Sequence, residues 1–122
     1  MTFARQRLGE RGEGLACGEL ERLGYLILTR RYRSRFGEID IVCSDAGTVV
    51  FVEVKTRTDR TFGDPAEAVT WHKQHRVIAM AEDYAARERL HDKPCRFDVV
   101  TVDVTSDPPR ITVYKDAFRP GW

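Results

Sequence analysis

Three residues in the stretch GEIDIVCSDAGTVVFVEVKTR, residues 37–57, carry groups that could do chemistry together: Asp40, Glu53 and Lys55. The stretch has the pattern of two strands joined by a turn at DAG, 45–47, and its charges stand among Ile39, Ile41, Val50, Val52 and Val54. Burying a charge in such company costs on the order of several kcal/mol unless it is paired or bound to a metal. Side chains alternate along a strand, so Asp40 is expected to share a face with Glu38 and Val42, and Glu53 and Lys55 a face with Val49 and Phe51. A register that pairs residues near 40 with residues near 53 sets Asp40 beside Glu53. Two adjacent carboxylates repel, and a divalent cation that favours oxygen ligands, Mg²⁺ or Mn²⁺, relieves the repulsion. Lys55, two residues beyond Glu53, would present its ammonium to a hydroxide or to the charge that builds on a phosphate. One acid, then an acid and a lysine on the neighbouring strand, is a compact device for hydrolysing phosphodiester bonds. Taken alone, a Glu and a Lys two apart on a strand are a solvated face; the apolar setting of both strands argues against that here.

The elements that must hold these groups are legible around them. Residues 3–23 have a helical pattern, with Ala16, Leu20 and Leu23 as an apolar stripe and Gly9, Gly12, Gly14 and Gly18 weakening it. At ~100° per residue, Glu13 falls within about 50° of the centre of that stripe, so it could reach the same metal; a helix-surface acid is the alternative. Gly24 ends the helix, and YLILTRRYR, 25–33, follows as a strand. After the hairpin of 37–43 and 48–56, Asp64, Pro65 and Glu67 suit the start of a second helix. Its pattern runs to about Leu90 with a break near Thr70, and Val77, Ile78, Ala81, Tyr84 and Ala85 form its buried face. RFDVVTVDV, 96–104, and RITVY, 110–114, are further strands, and KDAFRPGW, 115–122, looks like a tail. This order predicts one α/β domain over 1–122, with its core at about 3–114 and a central mixed sheet flanked by helices. The first three strands form an antiparallel meander, and the strand after the long helix lies parallel to a neighbour.

The 122 residues carry a net charge of +1, which argues neither for nor against a nucleic-acid partner. Locally, RRYRSR at 30–35 places four arginines in six residues, and Arg33 and Arg35 are candidate phosphate contacts on what is otherwise a charged edge strand. Arg57 directly follows the acid–lysine pair, and Lys73 and Arg76 follow the second helix start, so these too are candidates for nucleic acid. Trp71 and Trp122 could stack on bases, with packing the expected role for Trp71. His72, His75 and His91 have no acid or cysteine at a metal-ligand spacing and read as structural. Cys17, Cys43 and Cys95 are odd in number and far apart, which fits reduced core residues of a cytoplasmic protein. No apolar run approaches the ~18 residues of a membrane helix, and the N-terminal stretch lacks the apolar region of a secretory signal.

Glu13, GEIDIV with Asp40 and FVEVK with Glu53 and Lys55, in that order, resemble the PD-(D/E)xK nuclease superfamily, with its restriction-endonuclease-like fold. Within it the chain is similar to archaeal Holliday junction resolvases, which also carry a helix acid before a Gly-aromatic pair, here Gly24-Tyr25. More closely, GERGEGLACGELERLGYLIL, GEIDIV, VFVEVKTR, FGDPAEAV with HKQHR, and RFDVV resemble the bacterial YraN family, over about residues 9 to 100. The resemblance implies metal ligation by Asp40, Glu53 and the Val54 carbonyl, Glu13 as a further acid, and Lys55 as the catalytic lysine. It implies a Mg²⁺- or Mn²⁺-dependent nuclease acting on nucleic acid, with DNA favoured over RNA and RNA left open, branched or damaged DNA included; symmetric cutting of two strands would need a homodimer. Ile39 stands where the superfamily's name has proline, and the strongly basic arms of junction resolvases are missing. Two other classes remain open: a binding module that keeps the fold without cutting, and a protein-interaction adaptor. A pure binder would hold DNA with steep salt dependence and no need of the acids.

Overall fold

The computed structural model describes residues 2–58 and 69–120, with side chains from Arg7 onward. Its elements in chain order are α1 (Thr2–Arg22), β1 (Leu26–Ser34), β2 (Gly37–Asp45), β3 (Thr48–Arg57), α2 (Trp71–Arg87), β4 (Cys95–Asp103) and β5 (Arg110–Phe118). The strands form one five-stranded sheet in the order β1-β2-β3-β4-β5. Neighbours are antiparallel except β3 and β4, which are parallel and are the pair joined through α2. A parallel pair needs a long crossover, and the helical pattern between residues 57 and 95 supplies it. The mixed α/β sheet with a helix on each face agrees with the restriction-endonuclease-like arrangement expected.

Each helix closes its own core. Ala16 and Leu20 of α1 pack over Ile41, Cys43, Val50, Val52, Val100 and Val102. Val77, Ile78, Met80, Ala81 and Tyr84 of α2 pack over Ile39, Val42, Phe51, Phe97 and Val99. The middle strand β3 is therefore covered on both sides, which is why VVFV reads as a continuous apolar run rather than an alternation. Two glycines are required where they stand. Gly24, at φ 95°, lets Tyr25 N–H bond Leu20 O at 2.9 Å and its own N–H bond Glu21 O at 3.0 Å, which ends α1 and turns the chain into β1. Gly12 lies so close to the sheet that a Cβ there would come 2.1 Å from Thr56 Oγ1. The glycines therefore do not break α1: it runs unbroken through Gly9, Gly12, Gly14 and Gly18.

Several boundaries differ from expectation for local reasons. The second helix begins at Trp71, because Thr70 is extended and its hydroxyl caps Lys73 N–H; the expected cap at Asp64 with Pro65 and Glu67 lies outside the described residues. Residues 115–118 belong to β5 and are not a tail: Phe118 is buried and stacks on Phe97 at 5.1 Å between ring centroids. Leu23 falls past the last helical residue and is 46% exposed, so the stripe of α1 ends at Leu20. Cys17 and Cys43 are buried thiols, whereas Cys95 at the start of β4 is exposed. Among the described residues no helix is long and apolar enough to cross a membrane.

Candidate active site

The site grows from the place where the β2–β3 ladder stops. Pairing runs from Asp45 opposite Thr48 to Ile41 opposite Val52. One step further the same register would set Asp40 against Glu53. There the Val54 N–H donates to Asp40 Oδ2 at 2.7 Å, so a side-chain carboxylate takes a main-chain donor of β3. Strand alternation slips at this point: Ile39 and Val42 both lie in the α2-side core, while Ile41 and Cys43 lie on the α1 side. The expected shared face of Asp40 and Val42 therefore does not hold. Asp40 is drawn toward the edge of β3, between the two faces, by a charge-assisted bond of the stronger kind.

Glu53 keeps the alternation of β3 and is buried at 2% exposure on the side that α2 covers. Lys73, in the first turns of α2, brings Nζ to 3.1 Å from Glu53 Oε2. Lys73 thus stabilises the Glu53 carboxylate across a short contact, while the Asp40 carboxyl on its other side favours the protonated form. Burial, then repulsion from Asp40, pushes the Glu53 carboxyl up to about 8, with Lys73 opposing both. Asp40 is raised as well, first by burial and then by the Glu13 charge; the Val54 N–H and Lys73 act against these.

A second buried acid shows what full satisfaction looks like in this chain. Asp98, in the RFDVV stretch, is 0% exposed. It accepts from Arg96 Nε at 2.9 Å, from the second Arg96 nitrogen at 3.1 Å and from Asp116 N–H at 2.9 Å. Arg96 also reaches the Tyr25 hydroxyl and Asp45, at the hairpin-turn end of the sheet. Asp98 is thus the hub of a structural network, and Glu53 at the other end is not.

At this end of the sheet, Glu13, Glu38 and Asp40 each offer a carboxylate oxygen, all within 4.8 Å of one another. Octahedral Mg²⁺ with ~2.1 Å bonds wants oxygens about 3 to 4 Å apart, so a group of this size could hold one. Glu13 accepts from Arg31 Nε at 2.8 Å, and Glu38 from Arg33 Nε at 2.9 Å. Arg31 adopts φ 53° in β1, a conformation that only a fixed local environment holds for a non-glycine residue. Among the described residues Asp40 makes no ion pair, so the acid at the centre is the one without a cation in contact.

The structure therefore brings together Glu13, Asp40 and Glu53, adds Glu38 from the same strand as Asp40, and adds Lys73 from α2. Glu53 lies beside Asp40 but outside the three-acid group, and the Val54 contact seen is through its N–H. Lys55 is exposed and without an ion pair or hydrogen bond among the described residues. Arg57 is half-buried, Arg33 is held by Glu38, and the Arg35 guanidinium lies 5.0 Å from the Phe36 ring centroid. Arg76 is exposed and lines a small cleft with Phe36, Gly37, Glu38 and Lys73. Sequence reasoning missed Arg31 as a partner of Glu13 and placed Glu38 only as a face-mate of Asp40. A run of arginines with strand periodicity carries no mark that singles one out.

Residues 12–102 match the family described as Uncharacterised protein family UPF0102. A UPF0102 protein of Geobacter metallireducens is 44% identical over 119 residues, 98% of this chain and 98% of its own. One from Symbiobacterium thermophilum is 49% identical over 115 residues, 93% of this chain and 98% of its own. One from Moorella thermoacetica is 42% identical over 120 residues, 97% of this chain and 100% of its own.

Proposed function

The chain belongs to the uncharacterised protein family UPF0102, and we propose that it is a metal-dependent nuclease that hydrolyses phosphodiester bonds in DNA, branched or damaged DNA included. The observation that carries this reading is the contrast between two buried acids: Asp98 is satisfied three times over, while Glu53 is sealed against a second carboxylate, Asp40, with Lys73 at one oxygen as its cation among the described residues. A fold does not keep such an arrangement for stability, since apolar residues in its place would be neutral or better. Strongly perturbed acids grouped at the end of a sheet mark a working site.

Glu13, Glu38 and Asp40 would hold Mg²⁺ or Mn²⁺, with Glu53 adjoining. Such an ion supplies a nucleophilic water at neutral pH and neutralises charge on the phosphate. The chain's own residues do the rest. Arg31 fixes the Glu13 carboxylate, and the Val54 N–H fixes Asp40. Lys73 balances Glu53 and lies where the charge of a phosphate would be met. Lys55, free at the rim of the same face, and Arg76 across the cleft would bind the flanking phosphates. Symmetric cutting of two strands requires two copies. Buried thiols at Cys17 and Cys43 fit a reducing cytoplasm.

The test is cleavage of end-labelled duplex, single-stranded, flapped and four-way-junction DNA with Mg²⁺ or Mn²⁺, beside Asp40→Asn. Cleavage by the native chain that is lost in a folded Asp40→Asn supports the reading; equal cleavage by both refutes it. A second reading, a nucleic-acid-binding module that does not cut, draws on the Lys73–Glu53 contact, which partly neutralises the acid without a metal. It requires DNA binding that is indifferent to Mg²⁺ and to Asp40→Asn.

A further inference from the structure

We propose that Trp71 and His75 form a stacking platform for an unpaired nucleobase, so that the substrate is DNA with unstacked nucleotides: single strands, flaps, gaps or branches. This rests on the nuclease reading of the adjoining acids. Trp71 is expected from sequence to pack, but it is 64% exposed and belongs to neither core. One turn later His75 lies against it, with ring centroids 3.8 Å apart and planes 34° from parallel. His75 Nδ1 is 2.9 Å from the Trp71 carbonyl oxygen, which pins the imidazole in that position. His72 meets the indole edge-on at 5.0 Å between centroids. An indole backed by one imidazole and braced by another is a rigid, flat, solvated surface.

Its location says what it would meet. Lys73 lies in the same turn of α2 and reaches Glu53. At ~100° per residue Trp71 and His75 are about 40° apart, and Trp71 is about 160° from Lys73. The helix thus turns Lys73 toward the acids and the two rings toward solvent, with Lys73 about 3 Å of axial rise from each ring residue. A strand whose phosphate lies at Lys73 would cross the first turn of α2, and a neighbouring base would reach the indole. Every base has a π-face, and such stacking is tolerant of sequence. In duplex DNA that face is covered by the adjacent base pairs, and only edges are offered in the grooves. The platform therefore selects nucleotides that are already unstacked.

The experiment uses the full chain with Trp122→Phe, which leaves Trp71 as the single tryptophan. Without divalent ions and at low salt, its fluorescence is titrated with a single-stranded oligonucleotide of about 15 nucleotides and with a blunt duplex of matching sequence. The expected result is saturable quenching by the single strand, little by the duplex, and on the order of tenfold weaker single-strand binding in Trp71→Ala by anisotropy. Trp71→Phe should recover most of the loss, and circular dichroism should show both variants folded. Unchanged fluorescence while anisotropy reports binding overturns the platform, as does equal affinity of Trp71→Ala and its parent. If Asp40→Asn abolishes metal-dependent cleavage while Trp71→Ala leaves single-strand affinity and cleavage intact, the platform falls and the nuclease reading stands. If the parent binds no oligonucleotide and cuts no substrate, both fall.

Discussion

Removing the charge of Glu53 should stabilise the metal-free protein at alkaline pH. The carboxyl is raised from an ordinary 4.5 to about 8, so the folded state binds a proton that the unfolded state has lost. Stability then falls as pH rises through the interval between those values and is level above it. Asp40 is displaced in the same direction and adds to the slope. At about 1.36 kcal/mol per pH unit, the displacement of Glu53 corresponds to at most ~4–5 kcal/mol, and part of it belongs to the pair, because the Asp40 charge raises the proton affinity of Glu53. A glutamine keeps the shape and loses the charge, but its amide still lacks partners in that pocket. The net gain of Glu53→Gln at pH 8.5 should be on the order of 2 kcal/mol, or about 8 °C in Tm for a chain of this length. Thermal melts by circular dichroism between about pH 5 and pH 9 in chelator measure it. The native chain should lose Tm with rising pH and Glu53→Gln should lose much less, so that the curves separate above pH ~7. Saturating Mn²⁺ should restore the native chain at pH 8.5. A variant less stable than the native chain at every pH, with no flattening, would sink the argument: Glu53 would then be a satisfied partner of Lys73.

Asp40→Asn should weaken Mn²⁺ binding at least tenfold by calorimetry, because it removes the carboxylate common to the three-acid group and to Glu53. Lys73→Met should move the rising limb of the pH–rate profile to higher pH, since Lys73 is the cation that opposes the proton on Glu53; Lys55→Met should weaken DNA binding and leave that limb in place. A limb moved by Lys55→Met and not by Lys73→Met would exchange their roles. Gly12→Ala should cost ~1–3 kcal/mol in urea unfolding, because the new methyl meets Thr56 Oγ1, and Gly12→Ala with Thr56→Ala should recover part of it. Independent costs of the two substitutions would mean that α1 does not rest on the sheet there.

The sheet was legible because its signals are local. Alternation, turn residues and the crossover length gave the antiparallel meander and the parallel strand that follows it. The apolar positions of α2 from Val77 to Tyr84 are buried as their spacing implies. What local signals cannot carry is the break in alternation at Asp40. It depends on a hydrogen bond to a residue fourteen positions away, and it decides which acids meet. The exposure of Trp71 is hidden for a related reason: an aromatic residue at the start of a helix packs or not according to what lies opposite, and Trp71 belongs to neither core. The pairing of Lys73 with Glu53 was invisible for the same reason: the sequence separates the two by twenty residues, and the crossover sets them on one face.

Both helices and the sheet are needed to make this site. Asp40 occupies the end of the ladder, Glu53 the α2 face of β3, Glu13 the last core-facing turns before the Ala16–Leu20 seam of α1, and Lys73 the first turn after the Thr70 cap. The four acids come from three elements, with Glu38 and Asp40 two apart on β2. The acids are therefore held apart by the packing of α1 and α2, not by a single rigid loop. Sub-ångström shifts of either helix change the separation of the carboxylates, and Coulomb repulsion in a poorly solvated pocket rises steeply as they close. An ion that draws Glu13, Glu38 and Asp40 together would pull α1 onto β3 at the Gly12–Thr56 contact, where there is room for a glycine and nothing larger. If the proposed ion binds there, its affinity and the docking of α1 would be one equilibrium seen from two sides: a residue that loosens Gly12 on Thr56 would weaken the ion, and the ion would tighten that contact.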